Sequence, residues 1–427
     1  MWNKLRQSLP LQLLFAALTA WGIASLLAFD SNVAEQGWYQ FIMLGKTTYL
    51  GLLKMVVGIV VMLSLLQGIT SIGSTMRLKK IGRSTLLFYS FTSFIAVTIG
   101  LGASLLLPAW EPLTSAVPVG DNVTLISSEA ASGGAIAAKL LNMALVNPIA
   151  ALSQGNLLAI VLFSFLLGIA LLSSLTEKHP LFEVLNGLNK AVNTLVSGII
   201  RLAPLAVFSI VFEFTVSGNS SLFKQLAMFA ILVFTLTAFH GAVVLPSIAK
   251  FATGISIKRL FKALSAPMAM AFATSSSSAT LPLSMQTAEQ ELGVSQSTSS
   301  MVLPLGSVMN MDGTALFEGV AAIFLAQLFG VDLTTSGLVM IFIMAMVSSI
   351  GAPGMPSGSM SGMQMVLLAA GIPLEAIAIL LIIERPLDTF RTAVNVEGDL
   401  IAAIVIDKWQ QDERKVNQAD SQYSLTP

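Results

Sequence analysis

The sequence predicts an all-α polytopic membrane protein, and three observations carry that reading. The chain has too few charges to face water, it contains apolar runs of membrane-crossing length, and basic residues concentrate in alternate connections. Of 427 residues, 55% are hydrophobic and only 10% are Asp, Glu, Lys or Arg, with a mean hydropathy of +0.82. Soluble domains spend about a quarter of their residues on charge, so lipid must be the solvent for much of this surface. The formal net charge is zero, which argues against nucleic acid as a partner. There is no cysteine, excluding a disulfide framework or a thiolate metal site. Two histidines, His179 and His240, are little material for a zinc or His-based catalytic centre.

Crossing the hydrocarbon takes about 20 apolar residues. Runs of that kind lie near 10–29, 47–70, 84–108, 155–175, 191–215 and 223–249. The first follows Lys4 and Arg6 but lacks a clean small-residue cleavage site, so it reads as a retained helix rather than a signal peptide. Basic residues gather at Lys4/Arg6, Arg77/Lys79/Lys80/Arg83, Lys178/Lys190 and Lys250/Lys258/Arg259/Lys262, while the alternate connections are poor in them. The positive-inside rule then puts the N-terminus in the cytoplasm of a multi-pass plasma-membrane or bacterial inner-membrane protein, and the C-terminus is expected there too. The long connection 109–146, rich in Ser, Gly and Ala, reads as a linker.

Beyond residue 263 small and polar residues interrupt the apolar pattern three times, at Thr274–Pro282, Asn310–Thr314 and Gly351–Ser359. Irregular backbone at membrane depth is tolerated only where protein buries it or it lines a cavity. Broken segments of this kind build midplane binding sites in transporters. The last apolar segment, 373–406, is the most informative. At 100° per residue, Glu384, Asp388, Arg391, Asn395 and Asp399 fall within an arc of about 80°. Each charge costs about 2.5–3.5 kcal/mol at the bilayer centre, so such residues pair and line pathways. Glu397 points to the opposite side and reads as a helix-end residue facing water or headgroups. Arg391 is suited to gripping a carboxylate and Asp388 to an ammonium group, together asking for an acidic amino acid. Asn310, Asp312, Asn395 and Asp399 are hard oxygen donors suited to sodium.

These motifs have a likeness. Thr-Ser-Ser-Ser-Ser-Ala-Thr-Leu-Pro at 274–282, Asn-Met-Asp-Gly-Thr at 310–314 and Asp-Thr-Phe-Arg-Thr-Ala-Val-Asn-Val-Glu-Gly-Asp at 388–399 closely resemble the glutamate transporter family. This is the family of dicarboxylate/amino acid:cation symporters, which includes the excitatory amino acid transporters and archaeal aspartate transporters. The resemblance implies eight transmembrane helices, two re-entrant hairpins near 258–290 and 336–370, inverted repeats and a homotrimer working by an elevator motion. Residues 1–263 would supply six helices, with helices 1, 2, 4 and 5 mainly scaffold and 3 and 6 joining the transport domain. Residues 264–410 would form the core of that domain, and 411–427 a polar cytoplasmic tail.

By position in the matching motifs, Arg391 would hold the substrate side-chain carboxylate and Asp388 its amino group. Ser276, Ser277, Thr314, Thr392, Asn395 and the second tip at Met355, Pro356 and Ser359 would complete the pocket. One implied sodium set is Gly306, Asn310, Asn395 and Asp399. A second is Tyr89, Thr92, Ser93, Asn310 and Asp312, and a third uses backbone near Val308, Ser349, Ile350 and Ala352. Asp399, where proton-coupled glutamate carriers tend to have Asn, favours sodium. Asp388 favours an amino acid over a plain C4 diacid. Neither arginine that relatives place near the first serine tip or at the Thr389 position is present, so pocket electrostatics differ from both branches. Glu318 stands where animal members couple to a proton and to potassium, making it the candidate proton site.

The leading expectation is a sodium-coupled importer of aspartate or glutamate. A proton- or sodium-coupled C4-dicarboxylate symporter is the alternative within transport, and an anion channel the alternative outside it. An intramembrane serine enzyme at Ser275–Ser278 lacks a nearby histidine.

Overall fold

The computed structural model describes residues 9–27, 36–70, 81–113, 138, 141–176, 178–217, 221–351, 354, 356–372 and 376–423. Among them there is no strand. The apolar runs fold as α1 (Leu9–Leu27), α2 (Gly37–Thr70), α3 (Arg83–Leu106) and α5 (Leu157–Ser174), the last preceded by the short α4 (Pro148–Gln154). Asn147 and Asn156 start α4 and α5 by accepting backbone amides with their side chains. The 191–215 run is not one rod. It folds as α6 (Pro180–Ile200) and α7 (Ala203–Val216), bent by 40°. Pro204 has no N–H to offer the Ile200 carbonyl, which loosens the helix there.

The sixth run forms α8 (Ser221–Phe239), a π-helical turn at His240–Val244 and α9 (Leu245–Thr253), which ends on the left-handed Gly254. Among the described residues, five helical stretches are long and apolar enough to cross a membrane, or six with the bent pair counted as one. The outer faces of the helices expose Phe15, Leu18 and Trp21 on α1, Phe41 on α2, Phe91 on α3 and Ile231 on α8. A polytopic membrane protein presents such side chains to lipid.

The remainder alternates helices with short breaks. α10 (Ile257–Thr274) and α11 (Ser277–Gln290) fold back on each other through Ser275 and Ser276. α12 (Gln296–Met309) and α13 (Asp312–Leu328) are separated by two non-helical residues, so the second break is confined to Asn310 and Met311. α14 (Thr335–Gly351) and α15 (Ser359–Ala370) pack together, and α16 (Ile377–Tyr423) closes the chain. The helix of α16 continues through most of the stretch expected to be a polar tail.

α16 is the hub: α8 and α9 through α13 all pack on it. α1, α2, α5, α6 and α7 pack largely among themselves, α7 against α1 and α2, and α2 against α5 and α6. α3 instead packs on α13. In α13 every residue except Gln327 is buried. A helix apolar all round belongs in the middle of a bundle, and this one brings Asp312, Thr314 and Glu318 there with it. Most of the 109–146 linker lies outside the described residues, but its start is anchored: Trp110 and Glu111 amides donate to Gln327 and Gln225 at 2.9 Å each.

Candidate functional site

The first serine break becomes a tight tip. Ser275 adopts a left-handed backbone (φ 51°) that ends α10, and Ser276 then caps α11 by accepting the Ala279 amide at 3.1 Å. The third break meets it. Gly354 carbonyl accepts the Ser276 hydroxyl at 2.7 Å and the Ser278 amide at 3.1 Å, so the two tips are joined. A Cβ on Gly354 would overlap the Ser307 carbonyl and lie 2.6 Å from Ser278 Oγ.

Behind the joined tips, Ser275, Ser277, Met311, Thr314, Gly354, Gly358, Ser359, Asp388, Thr392 and Asn395 line a narrow gap. Ser276 and Pro356 line a neighbouring polar vestibule of about 1160 Å³ instead, together with Ser64, Asn189, Lys190 and Ser197. Met355 and Ala352, both named from the sequence, lie outside the described residues.

Arg391 sits fully buried behind Ser359 and Asp388. Its Nη2 donates to Ser359 Oγ at 3.0 Å, Glu384 Oε1 at 3.1 Å and Asp388 Oδ1 at 3.3 Å. The guanidinium carbon lies 3.8 Å from the centre of the Phe317 ring, a contact of about 0.5–2 kcal/mol. Nε and Nη1 have no hydrogen-bond partner. Asp388 Oδ2 accepts the Ser357 amide at 3.0 Å, and Glu384 Oε2 accepts the Ser357 hydroxyl at 2.9 Å. Ser357 is itself left-handed (φ 59°), which turns both its donors toward α16. Internal ion pairing along α16 is therefore present, but it satisfies only one guanidinium nitrogen. Glu384, absent from the expected pocket set, is the acid that holds Arg391 in this arrangement. Its place on the 384–399 face was the signal for it.

Oxygen donors converge around the α12–α13 break. Asn310 Nδ2 donates to Asp399 Oδ1 at 2.8 Å, and Asn310 Oδ1 is buried without a partner. Asn395 accepts the Gly313 amide at 2.8 Å and reaches Thr314 Oγ1 at 3.4 Å. Any side chain at Gly306 would strike Asp399 and the Tyr89 hydroxyl. Tyr89, expected with Thr92 and Ser93, thus stands nearer the Gly306–Asp399 set, and its hydroxyl donates to Val302 O at 2.9 Å. Ser93 donates to Asp312 Oδ1 at 2.7 Å and lies 2.8 Å from Ser349 Oγ, so residues of the second and third expected sets touch. Thr92 bonds back to Tyr89 O, Val308 borders the vestibule, and Ile350 is half-buried. The orphaned Asn310 oxygen among carboxylate, carbonyl and hydroxyl donors fits a hard monovalent cation.

Three placements depart from or extend the sequence reading. Glu397 does not face water: it is fully buried, and neither carboxylate oxygen has a hydrogen-bond partner. On a helix packed on all sides, the face opposite the site is interior too. His240, given no role, brings Nε2 to within 3.2 Å of Asp312 Oδ2. A histidine in the apolar 223–249 run was the available signal. Glu318 accepts Ser348 Oγ at 2.9 Å through Oε1, while its Oε2 has no partner.

The joined tips yield a prediction that the absence of native cysteine makes simple to read. A Ser278→Cys reporter should react with maleimide several-fold faster when Gly354→Ala is added, because the added methyl drives the tips apart. Equal labelling rates would show that the Gly354 contact does not hold them.

Known proteins resemble this chain along most of its length. The sodium:dicarboxylate symporter family matches residues 9–409. The proton/glutamate-aspartate symporter of Escherichia coli (strain K12) is 30% identical over 414 residues, covering 96% of this chain and 94% of the relative. The proton/sodium-glutamate symport protein of Geobacillus stearothermophilus is 32% identical over 376 residues, covering 87% and 88%. The neutral amino acid transporter B(0) of Oryctolagus cuniculus is 33% identical over 412 residues, covering 88% and 76%. The chain belongs to the sodium:dicarboxylate symporter family, a family of membrane transporters and not of enzymes.

Proposed function

We propose that this symporter imports an acidic amino acid, aspartate or glutamate, driven by sodium. One observation carries the reading: Asp388 borders the gap behind the tips, and Arg391, its opposite charge one turn away on the same buried helix face, keeps two unpartnered donors. A diacid satisfies the arginine alone. An α-amino acid with a second carboxylate satisfies both groups, its ammonium on Asp388 and its side-chain carboxylate on the free guanidinium nitrogens. The substrate carboxylate would take over from Glu384 on Arg391, while Ser277, Thr314, Thr392 and Asn395 orient the rest.

Sodium enters this account as cargo. Gly306, Asn310, Asn395 and Asp399 would hold one ion, with Tyr89 beside them. Thr92, Ser93, Asn310 and Asp312 would hold another, and backbone near Val308, Ser349 and Ile350 a third. The empty site gathers more acids than bases, so an anionic substrate meets repulsion until cations neutralise some of them. The eight-helix, two-hairpin elevator and its trimer are our reading of the two packing groups. α1, α2, α5, α6 and α7 are the fixed scaffold in this view, and α3 with α8 to α16 the moving body. The polar vestibule at Lys190 reaches the tips from the side assigned to the cytoplasm and would be the release route. A C4-dicarboxylate is the second reading, favoured by the two guanidinium nitrogens that a plain diacid could also occupy.

In proteoliposomes, labelled L-aspartate should accumulate under an inward sodium gradient and be competed away by glutamate. Asp399→Asn should weaken the sodium dependence and Asp312→Asn abolish coupled uptake. Accumulation driven by a proton gradient and blocked by succinate would transfer the chain to the dicarboxylate reading.

We further propose that Glu318 carries a proton in the cycle, because one of its buried oxygens has no donor. Glu318→Gln should flatten the pH dependence of uptake and alter its potassium sensitivity. An unchanged profile in both respects would leave Glu318 as a packing residue only.

A further inference from the structure

The Glu397 carboxylate is the buried charge that the transport site does not use. It lies on the far side of α16 from Arg391, among α-helices, with both oxygens unpartnered and the residue fully buried. A carboxylate taken from water without a partner costs several kcal/mol, so the group is neutralised either by a proton or by a cation that binds against it. No salt bridge to Glu397 occurs among the described residues.

The surface it meets is the π-helical turn after α8. A Cβ on Gly241 would come within 2.9 Å of Glu397 Oε2 and of Val394 Cγ2, so Glu397 lies directly across a bare stretch of backbone. That backbone has an acceptor to spare. Along the helix, only the Leu245 or Pro246 amide could reach the Gly241 carbonyl in α or π geometry. Leu245 N–H goes instead to the His240 carbonyl, and Pro246 has no N–H. π-Turns are frequent at functional sites. A third oxygen lies on the same seam. α8 and α16 run in step, Phe234 against Phe390 (4.5 Å between ring centres) and, two turns further along α8, Gly241 against Val394 and Glu397, one and two turns further along α16. Thr237 falls between these contacts. It is buried, and its hydroxyl has no partner, whereas Thr98 and Thr215 bond back to their own helices at 2.7 Å each.

We infer that Glu397, Thr237 and the Gly241 carbonyl form a binding site for a monovalent alkali cation, separate from the ion ligands of the transport site. The donor set is all oxygen, with a single carboxylate that one monovalent charge neutralises. Hard oxygen donors select an alkali or alkaline-earth ion over a transition metal. Calcium and magnesium sites are normally built on more anionic ligands than this. Occupancy would also reach the transport site mechanically. His240, the first residue of the same π-turn, is the one that touches Asp312. An ion that fixes Gly241 against α16 fixes the backbone that carries His240.

The test is equilibrium binding of ²²Na⁺, and in parallel ⁸⁶Rb⁺, to the purified full-length protein in lipid nanodiscs. For one of the two ions, Glu397→Gln should bind one fewer per chain than wild type and leave the remaining ions bound. Thr237→Val, nearly isosteric, should weaken that same ion by roughly 10-fold. Asp312→Asn in the same assay reads the transport-site ions independently, so failure of either reading is visible without the other. Unchanged counts for both ions in Glu397→Gln would overturn the site. If Glu397→Gln does not fold, unchanged affinities in Thr237→Val would overturn it. A Glu397 whose only exchangeable partner proved to be a proton would do so as well.

Discussion

The structure depends on the cost of keeping the Arg391 charge inside a helical bundle. Every neighbouring feature answers it. Glu384 and Asp388 supply opposite charge two turns and one turn back, Ser359 supplies an acceptor, and Phe317 supplies the face of an aromatic ring. Removing one partner of a buried ion pair costs about 3–5 kcal/mol, so these residues constrain one another strongly. The arrangement is nonetheless incomplete, because Nε and Nη1 remain without partners. A site that is almost satisfied by protein alone, and finished by a ligand, binds that ligand selectively.

Close approach of backbones makes the cluster compact. α13 begins on Arg391 itself: a Cβ at Gly313 would lie 3.0 Å from both the Arg391 Cα and its carbonyl oxygen. The α12–α13 break therefore sits against the charged face of α16, and its freed groups become ligands. Asn395 accepts the Gly313 amide, and Asn310 donates to Asp399. The two serine tips then cover the same region from outside, held together by the Gly354 carbonyl. The non-helical backbone in this part of the chain is thus buried in protein, as membrane depth requires.

Much of this was legible in the sequence, for identifiable reasons. Helix length and apolarity are set by the bilayer, so the spans could be located, although the proline-loosened bend at Arg201–Leu202 divided one of them. The three breaks were visible because Ser, Gly, Pro and Asn stand out against an apolar background. The 384–399 face was visible because helical spacing is regular. What periodicity does not state is what each face meets. Glu397 was assigned to water because its angle opposes the site, yet α16 is surrounded. His240 was weighed only for chemistry that needs several histidines, whereas its role here is a single contact with Asp312. Pairing across helices, such as Ser93 with Ser349, depends on tertiary packing that no local pattern encodes.

The central claim is that Arg391 is completed by a substrate carboxylate, and titration calorimetry on purified wild-type and Arg391→Ser protein in sodium addresses it directly. The account predicts that L-aspartate affinity falls by at least about 100-fold, the ~3 kcal/mol expected for a lost buried charge pair, while a small neutral amino acid gains measurable binding. L-aspartate bound equally well by Arg391→Ser would contradict it, since Arg391 would then be paired for structure alone.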